Sequence, residues 1–357
     1  MNVIFGTDAE QSIIGTGHIM RCLNLAEELS KKGANIHFIT RRFDGHLGNL
    51  ISKKKYKISF LKKKKINGLL NKNGSLFKKH IQKNEAEKTL KVLKKEDKNL
   101  VIIDHYFLNA EYEKFLKKKS VKVFVIDDLA NRKHNCDFIL DQNYSKILHQ
   151  KYNNLINKNC KKLFGTKYAL VNQNFKFYKT KKKNKLDNLL VFMGGSDPKK
   201  EIFKAIEGIN NAYTKFKFIN IVIGKSFKYI KELKIKLKKM KFQYKLYVQT
   251  QKMYNILAKT DLAILSGGMI TWEKCVVGVP SLVTIKSKNQ INNSIELEKK
   301  GVHIITGYSN KTSPKTYTKR IDSINLNQIK QMKNRSRELC DGKGVSRVAR
   351  KILNIFS

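Results

Sequence analysis

Apolar and polar positions along this chain change period in alternation, from strand type to helix type and back. Asn2-Val3-Ile4-Phe5 is a short apolar run, and beyond a glycine-containing turn Ile19, Leu23, Ala26 and Leu29 recur at helical spacing. The start therefore reads strand, glycine loop, then a helix over 18–32. Further strands are expected near 36–40, 100–104 and 121–127, with a second helix around 85–96. The pattern begins again with Leu189-Leu190-Val191-Phe192-Met193 as a strand, a Gly-Gly-Ser-Asp-Pro turn and a helix. Strands near 218–223, 246–249, 262–265 and 281–285 follow. From Asn327 the chain reads as helix, broken at Asp341-Gly342-Lys343-Gly344 and resumed at Val345. Within 44–80 only Ile58-Ser59-Phe60-Leu61 shows a period, and the rest of that stretch is left without an assignment.

Strands alternating with helices predict parallel sheets wound on both faces. The 357 residues suffice for two cores of this kind. The expectation is an α/β protein of two Rossmann-like doubly wound lobes in series, the arrangement called GT-B type. The first lobe is read as 1–178, a basic polar linker as 179–188, and the second lobe as 189–340. A C-terminal helix in 341–357 is expected to cross back over the first lobe.

Composition narrows the classes. No window holds about twenty uninterrupted apolar residues, and the first residues pass directly into a strand, so neither a membrane span nor a signal peptide is read. The expected location is the cytoplasm. Five cysteines without CxxC or His-rich spacing read as reduced, mostly buried thiols. The net charge of +46 invites a nucleic-acid or anionic-membrane reading. Yet the excess is lysine, 65 residues against nine arginines, whereas base readout and bidentate phosphate recognition lean on arginine. The charge is read as a solvated lysine surface on a monomer, with neither a specific nucleic-acid partner nor a membrane partner.

The chemistry gathers at strand ends. His18 opens the first helix after Gly15-Thr16-Gly17. Unpaired N–H groups at a helix start favour anions and bias a histidine there toward its neutral, proton-accepting form. A capping or core histidine is the plainer alternative. In the second half, Met193-Gly194-Gly195-Ser196-Asp197-Pro198 and Ser266-Gly267-Gly268 each lie between a strand and a helix. Their backbone N–H groups suit a diphosphate, although either is also an ordinary strand-to-helix turn. Glu273, one turn into the next helix, suits ribose hydroxyls or simple compensation of the helix dipole. Asn289 and Gln290 suit neutral hydroxyl and acetamido groups, or a plain surface loop. Asp104-His105-Tyr106 and Asp127-Asp128 end strands of the first lobe, where ligands of such sheets bind. No His/Asp/Glu cluster has metal-ligand spacing, and neither a metal nor another cofactor is expected.

Taken in order, these motifs resemble one family, the UDP-2,4-diacetamido-2,4,6-trideoxy-β-L-altropyranose hydrolases of pseudaminic acid biosynthesis. The residues carrying the resemblance are Ile14 to Leu23, Ile103 to Tyr106, Ile126 to Arg132, Asp141-Gln142-Asn143, Tyr168-Ala169-Leu170, the 193–198 loop, and Thr271-Trp272-Glu273 through Gly278-Val279-Pro280-Ser281 to Asn289-Gln290. Gly6 and Asn172 depart from it, since the family usually carries arginine at both positions.

The resemblance implies a GT-B fold and hydrolysis of a UDP-sugar rather than glycosyl transfer. It further implies inversion at the anomeric carbon and no required metal. His18 falls on the family's general base, and Gly268, Glu273 and Asn289 on its substrate-binding positions. The full substrate-binding set expected here is Asp8, Gly17, Tyr106, Asn172, Gly194, Gly195, Ser196, Gly267, Gly268, Glu273, Asn289 and Gln290, with Asp8 a candidate to orient His18, a contact the sequence alone does not establish. Two alternatives stay open: a UDP-N-acetylglucosamine transferase of GT-B type, and a non-catalytic basic nucleotide- or RNA-binding protein. Release of free sugar without an acceptor separates them.

Overall fold

The computed structural model describes residues 1–7, 17–41, 48–61, 79–93, 98–180 and 185–354. The chain divides into two compact units, unit 1 comprising Met1–Leu170 with Gly344–Ser357, and unit 2 comprising Val171–Lys343.

Unit 1 contains the strands β1 (Asn2–Thr7), β2 (Asn35–Arg41), β3 (Lys57–Leu61), β4 (Asn99–Asp104), β5 (Lys122–Ile126), β6 (Phe138–Asp141) and β7 (Lys161–Phe164). They form one sheet in the order β3-β2-β1-β4-β5-β6-β7, with every pairing parallel. Successive side chains of β1 point to opposite faces: Val3 and Phe5 join one core cluster and Ile4 another. The first cluster is covered by α1 (Gly17–Lys31), through Ile19, Leu23, Ala26 and Leu29, and by α13 (Gly344–Leu353), through Val345, Val348, Ala349 and Ile352. Helix α13 starts hard against the first unit, since a Cβ on Gly344 would lie 2.2 Å from the Ala169 carbonyl oxygen. The sheet winds outward in both directions from β1, so the chain reverses its order between β1 and β4. That reversal opens a crevice beyond their carboxyl ends.

Unit 2 repeats the plan with β8 (Asn188–Phe192), β9 (Phe218–Ile223), β10 (Tyr244–Val248), β11 (Leu262–Ser266), β12 (Ser281–Ile285) and β13 (Ile304–Tyr308). Their order is β10-β9-β8-β11-β12-β13, again all parallel, with the reversal between β8 and β11. Strands β11 and β12 are buried throughout, which explains their unbroken apolar runs.

Several expectations need correction. The chain leaves the first unit after Leu170, not after 178, and returns at Gly344, not at 341. Within the expected linker 179–188, Thr180 is buried, and its hydroxyl donates to the Gly278 carbonyl at 2.8 Å. Lys181 to Asn184 lie outside the described residues. The helix expected at 85–96 is α3 (Lys79–Leu90), displaced because its buried positions are Gln82, Glu85, Ala86 and Thr89. A face that polar leaves no apolar period; Gln82 Nε2 instead donates to the Phe107 carbonyl and the Thr89 hydroxyl meets the Tyr112 hydroxyl. The unassigned stretch holds α2 (Gly48–Ser52) and the edge strand β3. Asn289 and Gln290 belong to the first turn of α10 (Lys288–Lys299) rather than to a loop.

Candidate active site

At the crevice of unit 1, the register sets Thr7, the last residue of β1, beside Asp104, the last of β4. His18 opens α1 there, only 5 % exposed. Its Nδ1 lies 2.5 Å from Asp104 Oδ1. Arg21, one helical turn later, reaches the same carboxylate with two N–H groups at 2.6 Å each and touches Asp128 Oδ2 at 3.2 Å. The Cys22 thiol adds a contact to Asp104 Oδ2 at 3.4 Å. Burial pushes the Asp104 carboxyl up, but the Arg21 guanidinium and the His18 contact outweigh it and hold the group well below the usual carboxylate range. An anion at Nδ1 favours the imidazole tautomer with its proton on that nitrogen, which leaves the Nε2 lone pair to act as acceptor. Tyr106 stacks edge-on against the ring at 4.7 Å between centroids, with its hydroxyl 3.5 Å from Asp128.

Asp127 does a different job from its neighbour. Arg132 binds it at 2.8 Å, the Ala130 N–H donates to it, and the Tyr152 hydroxyl lies 3.0 Å from both Asp127 and Asp141. One hydroxyl proton cannot be donated to two carboxylates at once, an arrangement that favours a proton on the second acid. Burial, reinforced by the Asp128 and Asp127 charges, pushes Asp141 up to about 7 although the Asn143 N–H opposes it. This buried chain braces the strand ends beneath the crevice.

In unit 2 three loops converge at the carboxyl ends of β8, β11 and β12. Gly194 has a φ of +85°, open to glycine, and a Cβ there would come within 3.7 Å of the Ser266 hydroxyl in the neighbouring loop. A Cβ on Gly267 would strike Ser294 Oγ of α10 at 2.7 Å. Lys286 Nζ donates to the Met193 carbonyl and to Asp197 Oδ1, both at 2.6 Å, while Asp197 Oδ2 accepts from the Ile202 N–H at the start of α6 (Glu201–Asn211). Glu273 lies in the first turn of α9 (Ile270–Val277), partly buried, and burial alone pushes its carboxyl up to about 8.

Unit 1 brings His18, which follows Gly17 in α1, against Tyr106; in unit 2 Gly194 lies near Ser266, and Gly267 and Gly268 lie near Gln290, while Gly195 and Ser196 share the loop of Gly194 and Glu273 stands in α9. Asp8 lies outside the described residues; at His18 Nδ1 the described partner is Asp104. Asn172 is occupied otherwise, its Oδ1 capping a 3-10 turn through the Asn174 N–H at 2.9 Å. Gln290 Oε1 accepts the Lys286 N–H, whereas Asn289 is exposed beside Ser287. Sequence reasoning missed Arg21 and Lys286 and read Asp104 only as an acid at a strand end. Among the described residues no three His, Cys, Asp or Glu side chains group as a metal site, and no helix is long and apolar enough to cross a membrane.

The two sheets with their paired switch points make this a fold of GT-B type. Residues 189–351 match the family model of the glycosyltransferase family 28 C-terminal domain. The crystal structure of MurG from Acinetobacter baumannii superposes with a TM-score of 0.65 over 99 % of this chain and 100 % of that one, at 14 % identity. In sequence the chain is similar to the UDP-2,4-diacetamido-2,4,6-trideoxy-β-L-altropyranose hydrolase of Campylobacter jejuni, 27 % identical over 308 residues, which cover 85 % of this chain and 98 % of the relative. It is also similar to the spore coat polysaccharide biosynthesis protein SpsG of Bacillus subtilis, 25 % identical over 279 residues, 76 % of this chain and 81 % of that protein.

Proposed function

We propose that this protein hydrolyses a UDP-sugar, releasing UDP and free 2,4-diacetamido-2,4,6-trideoxy-L-altrose. The observation that carries the reading is His18 at the mouth of a parallel-sheet crevice with an anionic Asp104 at its Nδ1. The similarity to the Campylobacter hydrolase supplies the substrate. In this reading the loops 193–198 and 266–268 bind the diphosphate through backbone N–H groups, and Glu273 takes the ribose hydroxyls. Water attacks the anomeric carbon from the face opposite the nucleotide and gives one proton to His18 Nε2. The bond from that carbon to the diphosphate oxygen breaks, and UDP leaves with the electron pair. A positioned general base contributes about 10²- to 10⁴-fold, and donors on the departing diphosphate add to it. UDP is a good leaving group, so the carboxylate pair of ordinary glycoside hydrolysis has no counterpart to fill.

Transfer to an acceptor is the second reading, favoured by the match of residues 189–351 to a glycosyltransferase domain. Proton NMR of the purified protein with the UDP-sugar and no acceptor tests the two. Prompt free sugar of inverted anomeric configuration supports hydrolysis; turnover only when an acceptor is added overturns it.

A further inference from the structure

We infer that Lys286 is the positioning residue of the diphosphate subsite, the side chain that sets the 193–197 loop in its anion-binding shape. The inference rests on the nucleotide reading above. The loop that must receive the diphosphate is irregular: Gly194 has a φ of +85° and Asp197 one of +36°. Backbone N–H groups bind an anion well only if they are aimed before it arrives, since ordering them afterwards offsets the gain. Lys286 supplies the fixed point. It stands one residue past β12, and its Nζ holds the Met193 carbonyl, immediately before Gly194, and the Asp197 carboxylate, at the loop's far side, both at 2.6 Å. The side chain itself is only 13 % exposed. Its own backbone is tied in turn, the Lys286 N–H donating to Gln290 Oε1 at 3.0 Å, next to the 266–268 loop. A single ammonium group thus fastens the loop after β8 to the end of β12. Two of its three N–H donors are engaged by these contacts.

The test separates diphosphate from nucleoside. Lys286→Met and Lys286→Arg are titrated calorimetrically with UDP, uridine and inorganic pyrophosphate, beside the unmodified protein. Lys286→Met is expected to lose about 10- to 100-fold in affinity for UDP and pyrophosphate while uridine binds as before, the scale of a lost charge-assisted hydrogen bond. Lys286→Arg, which keeps the charge and donors, is expected to recover part of the loss. UDP affinity within a few-fold of the unmodified protein in Lys286→Met overturns the inference and leaves the hydrolase reading intact. Equal loss of UDP and uridine affinity also overturns it, because a collapsed unit 2 predicts that pattern. An unmodified protein that binds pyrophosphate in a Lys286-dependent way but not UDP sustains the role of Lys286 and overturns the nucleotide reading instead.

Discussion

The carboxylate that ends β4, Asp104, and the imidazole that opens α1, His18, face each other at 2.5 Å. Neither is complete alone. Asp104 also holds Arg21, so the acid stays ionised beside the imidazole.

His18→Gln is expected to lower kcat for UDP-sugar hydrolysis by about two or more orders of magnitude with UDP affinity nearly unchanged. Asp104→Asn should also slow turnover, and it should unfold more readily, because removing one partner of a buried pair costs about 3–5 kcal/mol. Single-turnover kinetics beside urea unfolding of both variants check this. Normal turnover in His18→Gln would make the histidine a structural cap.

Glu273 should make UDP binding depend on pH. Its carboxyl is raised to about 8 in the free protein, so near pH 7 it is mostly protonated. If ribose hydroxyls donate to the ionised form, binding releases a proton, and affinity rises as pH approaches 8 and then levels off. Calorimetry at pH 7 in two buffers of different ionisation enthalpy measures that proton. Glu273→Gln should abolish the pH dependence, and Glu273→Ala should weaken UDP by about 1.5–3 kcal/mol. A fall in kcat without loss of affinity would move Glu273 into the chemistry.

Asp141 should make the fold weaker in base. Its native pKa of about 7 lies above the ordinary value of about 3.9, so the folded state holds a proton that the unfolded chain has already lost between those values. Its stabilising contribution is complete below about pH 4 and is lost as pH rises through 7, at a cost of up to about 4 kcal/mol. Asp141→Asn keeps a donor for Tyr152 and should remove this slope. Urea unfolding at pH 5 and pH 8 decides it: an Asp141→Asn variant with the slope of the unmodified protein refutes the assignment.

Chelation should leave turnover in place. Both oxygens of Asp104 are engaged by Arg21 and one lies against His18, so the acid closest to His18 has little capacity for a cation. Loss of UDP release in EDTA, restored by Mg²⁺ or Mn²⁺, would contradict this.

The sequence made β1, α1, β8, β11 and β12 legible because strands covered on both faces read as unbroken apolar runs and α1 has a clean apolar stripe. Strand β7 escaped because Lys161 and Lys162 are exposed and only Leu163 and Phe164 turn inward. Strand β6 is four residues long, too short for a period to show. His18 and Glu273 stood out because each follows closely spaced glycines between an apolar run and a helical period in the sequence. The Asp104 contact did not, since it is made by the register of β1 against β4, which no local pattern encodes. Lys286 was hidden by abundance, one lysine among 65.

Because α13 supplies Val345, Val348, Ala349 and Ile352 to the cluster that contains Ile19 and Leu23, unit 1 is assembled from two distant pieces of chain while unit 2 is continuous. On the ribosome the first-made unit is therefore the last to be finished. Its α1 face waits, apolar and open, while Val171–Lys343 is synthesised, a delay on the order of ten seconds or more at the usual rates of elongation. A message truncated just before Gly344 would yield an intact second unit tethered to a first unit with that face uncovered, a product suited to capture by chaperones or proteases rather than to catalysis.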